Sequence, residues 1–257
     1  EFALTLVKQL EGFGSYGFPE SHAFSFAIIT EISCWLKCHH PDVFLASILN
    51  SQPMGFYAPA QLIRDAKVHG VEVRWFCPNA SRWDCTLEPT GRPGRMAVRL
   101  GFRLIKGLKT KDVSDLILAR GDSPYKSIAD LWRRARTPVP ALRKLARADA
   151  FETAFKLPRR EALFAIRSLG DDILPLFDSL LDDDGRSESE ISQPHITFQP
   201  MTDGANVVED YNQVGFSKGL HPLAFLRPDL AKKGYVSCNE AMTSKDSRYV
   251  QVAAMVT

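Results

Sequence analysis

Apolar residues recur at three- and four-residue steps over residues 20–40. Phe24, Ile28, Ile32, Trp35 and Leu36 share a face there, and the spacing predicts a helix. Pro41 either ends that helix or opens the next, because "DVFLASILNS" keeps the helical period as far as Gln52 and Pro53. Leu62, Ile63 and Ala66 predict another helix within "APAQLIRDAKVHG", stopped by Gly70. The period then changes. "VEVRWF" alternates as a short strand, "CPNASRWDCTLEPTGRPGR" reads as loop or hairpin, and "MAVRLGF" reads as the returning strand. "FRLIKGLKTKDVSDLILARG" predicts a helix, a tight turn at Gly107 and a second helix. Residues 127–166 predict further helical segments broken at Pro138, Pro140 and Pro158. From "LLDDDGRSESEISQPHITFQP" the apolar period disappears, which reads as a flexible linker. "VVEDYNQVGFSKGLHPLAFLRPDLAKKG" regains order, and "RYVQVAAMV" alternates as a strand. The pattern as a whole is that of a mainly α protein with a small β component.

Composition adds three constraints. The chain has 257 residues, 45% hydrophobic and 24% charged, enough to bury a core. Its opening residues look like the end of an amphipathic helix and its last ones like an unfinished strand, so both ends are expected to be cuts within a longer protein. No apolar run approaches the roughly 18 residues of a membrane span, so no membrane is expected as partner, and no signal-peptide pattern precedes the body. Five scattered cysteines, Cys34, Cys38, Cys77, Cys85 and Cys238, suit a reducing cytoplasm better than a disulfide framework.

Charge changes the picture most. The net charge is only +2, but residues 91–167 hold 19 Lys/Arg against 7 Asp/Glu, whereas residues 168–210 hold 11 acids and one base, Arg186. A basic block followed by an acidic one points to a polyanion-binding module beside a solvated connector. Within the basic block, "LIKGLKTKDVSDLI" has the helix-hairpin-helix form: hydrophobic, basic, Gly, hydrophobic, a polar turn, then a helix. Its turn amides and Lys106, Lys109 and Lys111 can contact phosphates without reading bases. Lys109 occupies the place of the usual second glycine, so a plain helical hairpin stays open as a reading. Cys34, Cys38, His39 and His40 do not form a metal site by spacing, since the histidines point elsewhere around the axis. No phosphate-binding loop, zinc-protease motif or nucleophile–His–acid signature is present, and no paired metal-binding aspartates are found in the basic or apolar parts.

The stretch "YGFPESHAFSFA" poses its own question. It puts Ser21 and His22 on the first turn of an apolar helix, where free amides and the helix dipole favour an anion. Ser21 as an ordinary cap and His22 as a surface residue is the other reading.

Longer motifs bear on that choice. "YGFPESHA", "WLKCHHP", "NSQPMGFY" and "WDCTLE" resemble the fingers region of bacterial C-family DNA polymerases, the polymerase III alpha-subunit type, and within it the error-prone translesion branch. "LGFRLIKGLKTKDVSDLILARG" and "LRKLARADAFETAFKLPRREAL" resemble the tandem helix-hairpin-helix region behind the fingers. "VVEDYNQVGFSKGLHPLAFLRPDL" resembles the segment leading to that family's OB-fold. The resemblance implies partial fingers over residues 1–75, a tandem helix-hairpin-helix DNA-binding region over 76–170, an acidic linker over 171–206, a connecting helical segment over 207–247, and the first strand of a truncated OB-fold over 248–257.

It also implies chemistry. Ser21 and His22 would meet the triphosphate of an incoming deoxynucleotide, and Phe26 would pack near the nascent base pair. Lys106, Gly107, Lys109, Lys111, Arg143 and Lys144 would hold the primer–template duplex. The Mg²⁺ ligands of the full-length enzyme, palm aspartates, would precede this chain, which would carry no catalytic or metal-binding residue and would not polymerise alone. An inactive Y-family-like polymerase subunit would be the accessory partner. Ile173 stands where relatives begin their sliding-clamp peptide with glutamine, so clamp contact would be indirect, and Leu176 and Phe177 read equally as part of that peptide or as ordinary helix packing. Trp75-Phe76-Cys77 departs from the family pattern, and Asp149 stands where a glycine is common in the second hairpin. The competing readings are a non-enzymatic helix-hairpin-helix DNA-binding repair protein and a purely structural helical module.

Overall fold

The computed structural model describes residues 2–16, 20–55, 57–169 and 198–254. The clamp-like stretch with Ile173, Leu176 and Phe177, and most of the expected acidic linker, lie outside the described residues. Helix α1 (Phe2–Tyr16) and helix α2 (Glu20–His39) come first. Both present apolar side chains to solvent, among them Phe24, Ile32 and Trp35 on α2. Helix α3 (Pro41–Asn50) follows, with Pro41 in the first-turn position where its missing N–H costs nothing. Helix α4 (Pro59–Val68) starts the same way. Lys37 of α2 pairs with Asp65 of α4 at 2.9 Å, which lowers the Asp65 pKa mainly through that hydrogen bond.

Three short strands follow: β1 (Val73–Arg74), β2 (Thr86–Pro89) and β3 (Met96–Arg99). Strand β3 lies in the middle, parallel to β1 and antiparallel to β2, with Val98 opposite both Val73 and Leu87. The strand expected over "VEVRWF" is thus trimmed to two residues. The side chain of α3 Asp42 accepts the Met96 amide at 2.7 Å, and Asn50 exchanges two hydrogen bonds with the Cys85 peptide. Helix α3 is thereby fixed to both long strands. The departure at Trp75-Phe76-Cys77 packs well: Phe76 is fully buried and Cys77 is buried beside it.

The helix expected before Gly107 does not form. It is a single 3-10 turn, Phe102–Leu104. The Phe102 and Arg103 amides already bond the carbonyls of Arg82 and Trp83, at 2.9 and 3.0 Å. Gly101 makes that approach possible, since a Cβ there would stand 2.4 Å from backbone atoms of Trp83 and Asp84. Helices α5 (Thr110–Arg120), α6 (Ile128–Ala135), α7 (Val139–Arg147), α8 (Ala150–Phe155) and α9 (Arg159–Arg167) then form in sequence. Pro138 and Pro158 are the N-caps of α7 and α9, so the helical segments part there as expected, whereas Pro140 sits within the first turn of α7 and interrupts nothing. Leu116, Leu131, Leu142, Leu145, Phe151 and Ile166 close one continuous core with Phe76 and Phe102.

Helix α10 (Asp203–Gln213) is capped by Thr202 and starts before the connecting segment expected from residue 207. It packs against α7. Helix α11 (Pro222–Lys232), strand β4 (Tyr235–Val236), helix α12 (Cys238–Met242) and strand β5 (Gln251–Val252) complete the described chain. Of the described residues of the expected strand 248–257, Gln251 and Val252 pair, in parallel with Tyr235 and Val236.

Candidate nucleic-acid interface

The first hairpin turn is residues 105–109. Gly107 adopts φ +70°, a left-handed conformation that a side chain would strain. Lys109 is the N-cap of α5 and gives no side-chain cap. Among the described residues, the amides of Gly107, Lys109, Thr110 and Lys111 find no protein acceptor. A bare helix start beside a left-handed turn is an arrangement of amides suited to an anion. Lys106, Lys109 and Lys111 are exposed around it. Helix α7 brings the remaining candidates: the Lys144 ammonium donates to the Gly107 carbonyl, and Arg143 is exposed next to it. The structure therefore gathers Lys106, Gly107, Lys109, Lys111 and Lys144 at one turn, with Arg143 exposed beside Lys144 in sequence on α7.

Two of those lysines also have internal duties. The Lys106 ammonium donates to the Tyr211 carbonyl at 3.1 Å, and Lys144 holds the turn itself. Lys109, Lys111 and Arg143 carry no such contact among the described residues. The charge count of the basic block overstates the surface for the same reason. Arg99 bonds Glu88 and the Trp75 carbonyl; Arg103 bonds Asp84 and the Asn50 and Gln52 carbonyls. Arg120 bonds the Pro78 and Ser81 carbonyls, and Arg134 caps the end of α5. Burial lowers the Arg120 pKa.

The second turn joins α7 to α8. Asp149 takes φ +55°, the left-handed position that a glycine would fill. Its carboxylate is mostly buried and pairs with the Lys218 ammonium, which also stands 3.6 Å from Glu152. Trp75 donates its indole N–H to the Ala148 carbonyl at 2.7 Å, tying this turn to the sheet. This turn is acidic and internally neutralised, unlike the first. The contributions of Trp75 and Lys218 carry no local sequence signal, because their partners lie 73 and 69 residues away.

The nucleotide candidates occupy a separate place. His22 and Phe26 are exposed near the start of α2, with ring centroids 4.6 Å apart in an edge-on pair. They lie roughly 25 Å along the helix from its junction with α3. The Ser21 side chain lies outside the described residues. Among the described residues no three His, Cys, Asp or Glu side chains come together in a way that could hold a metal ion. Among the described residues, no helix is long and apolar enough to cross a membrane.

The two successive turns, the first between a 3-10 turn and α5 and the second between α7 and α8, lie within residues 70–162, which match the family model described as a helix-hairpin-helix motif. The similarity to particular proteins covers the whole chain. It is 54% identical over 261 residues to Error-prone DNA polymerase 1 of Agrobacterium fabrum, and 54% over 256 residues to Error-prone DNA polymerase 2 of Rhizobium meliloti. It is also 45% identical over 258 residues to the Error-prone DNA polymerase of Brucella abortus. All of this chain aligns in each case, against 24% of the first two proteins and 23% of the third. The chain thus spans about a quarter of the length of the curated relatives it matches, and is homologous to that segment of error-prone DNA polymerases.

Proposed function

We propose that this chain is the nucleotide-facing and duplex-binding part of an error-prone DNA polymerase acting in damage-induced translesion synthesis in the cytoplasm. The observation that carries the reading is the whole-length similarity to error-prone DNA polymerases, joined to the lysine-ringed turn at Gly107. In this reading the turn amides and Lys109, Lys111 and Arg143 hold primer–template DNA by its phosphates, which positions the duplex without reading sequence. The start of α2 meets the triphosphate of a deoxynucleotide, with Ser21 and His22 as donors and Phe26 against the new base pair. One such contact at a helix start contributes about 0.3–1 kcal/mol when exposed, so it orients a nucleotide more than it retains one. When bound in the full-length enzyme, Mg²⁺ would activate the primer hydroxyl and neutralise the phosphates, on ligands outside this chain. An inactive Y-family-like polymerase subunit would supply the contact with the sliding clamp.

The test separates the two surfaces in the full-length polymerase. His22→Ala is expected to raise the nucleotide KM and leave DNA affinity unchanged. Lys106→Glu/Lys109→Glu is expected to weaken DNA binding and leave the nucleotide KM unchanged at saturating DNA. Unchanged KM and kcat in the first variant would remove the nucleotide role. Unchanged DNA affinity in the second would remove the duplex role.

A further inference from the structure

One short stretch after the acidic segment touches both hairpin turns. Gln213, the last residue of α10, is buried and exchanges two hydrogen bonds with Lys106. Its carbonyl accepts the Lys106 amide at 3.0 Å, and its Nε2 donates to the Lys106 carbonyl at 3.1 Å. Three residues on, Phe216 is buried edge-on to Trp75 at 5.5 Å, and Trp75 in turn donates to the Ala148 carbonyl of the second turn. Lys218 then pairs with Asp149, the left-handed residue of that second turn. The stretch is itself anchored at Asp210, which pairs with buried Arg159 and accepts the Ser217 hydroxyl at 2.7 Å.

The Gln213 contact has a directional consequence. The Lys106 carbonyl and the Gly107 N–H belong to one trans peptide, so they point in opposite directions. Holding the carbonyl inward on Gln213 turns the Gly107 amide outward, where it has no protein acceptor among the described residues. A hydrogen bond weakens steeply with misalignment, so an amide that must meet a phosphate gains from a fixed peptide plane.

We infer that residues 213–218 form a strap that sets the facing and spacing of the two hairpin turns, with Gln213 and Lys218 as positioning residues for DNA binding. The inference rests on the reading that the first turn holds DNA phosphates. It extends the duplex-binding unit beyond the acidic segment, to residues that share no local motif with the hairpins.

The experiment measures binding of the 257-residue chain to a fluorescein-labelled primer–template duplex by anisotropy across a salt series. It compares wild type, Gln213→Met, Lys218→Met and Lys109→Glu, at a temperature where circular dichroism shows each to be folded. The strap predicts at least fivefold weaker binding for Gln213→Met, with a salt slope shallower by about one phosphate contact. It predicts a loss of about threefold or more for Lys218→Met, whose half-exposed site keeps the test available if Gln213→Met does not fold. Variants that melt earlier yet bind within twofold of wild type when folded would show a merely structural strap and overturn the inference, with the DNA reading intact. Wild-type binding that is indifferent to salt and to Lys109→Glu would overturn the DNA reading, and the strap's role with it.

Discussion

At the scale of single residues, the structure separates charges that hold the fold from charges that face outward. Glu88 belongs to the first kind. Burial alone would raise its pKa, but hydrogen bonds from Arg99 and Arg74 outweigh burial and hold it below the usual glutamate range. The unfolded chain therefore binds more protons at this site. The stability it contributes is present above the unfolded pKa of about 4.3 and is lost as the pH falls through the lower folded value. Glu88→Gln is expected to lower stability at neutral pH and to remove part of the acid-induced decline; urea unfolding from pH 7 to pH 3 would measure this. Identical pH profiles would contradict it. Gly107 is a second residue-scale case. Gly107→Ala would force a side chain into φ +70° and bring its Cβ to 3.3 Å from the Lys144 ammonium. A cost of about 1–2 kcal/mol is expected from the backbone alone, read as a lowered denaturation midpoint. The need for glycine there was legible in the sequence, because a tight turn is local. The partners of Gln213, Trp75 and Lys218 were not, because nothing near those residues reports a contact 69 to 107 positions away.

At the scale of elements, local signals fared unevenly for physical reasons. Helices α2, α3 and α4 appear close to their expected bounds, since apolar period, proline starts and a glycine stop agree there. The expected helix before Gly107 shrank to a 3-10 turn because its amides are claimed by residues 82 and 83, a tertiary contact that overrides propensity. Gly101 allows that claim. Gly101→Ala would overpack backbone against backbone and is expected to cost about 1–3 kcal/mol, seen in the same unfolding assay. The junction of α9 and α10 rests on the Arg159–Asp210 pair, whose side chains are only 3% and 2% exposed. Asp210→Ala would strand a buried guanidinium, so a loss of about 3–5 kcal/mol is expected. A loss below about 1 kcal/mol would mean that Arg159 finds another partner or reaches water.

At the scale of the whole molecule, the chain holds two surfaces of different character. One is the lysine-ringed turn, braced from α10 by Gln213, beside a second turn held to the sheet by Trp75. The other is the exposed surface of α2, where His22 and Phe26 stand on a helix whose Phe24, Ile28, Ile29, Ile32 and Trp35 are also exposed. The charge imbalance of residues 91–167 made the first surface visible in the sequence. It also exaggerated it, since Arg99, Arg103, Arg120, Arg134 and Arg159 are spent on internal acceptors. For the second surface, the free amides at a helix start left an anion site and an ordinary cap both open, and the resemblance supplied the nucleotide reading.

The central claim is that the first hairpin grips duplex DNA by its phosphates. Its most direct test is the salt dependence of primer–template binding by this chain, measured beside Lys106→Glu/Lys109→Glu. Neutralising four to six phosphates predicts that log K falls with log salt at a slope of about −4 to −5, and that the double variant loses most of the affinity. Binding that stays flat with salt, or that ignores the two lysines, would contradict the claim.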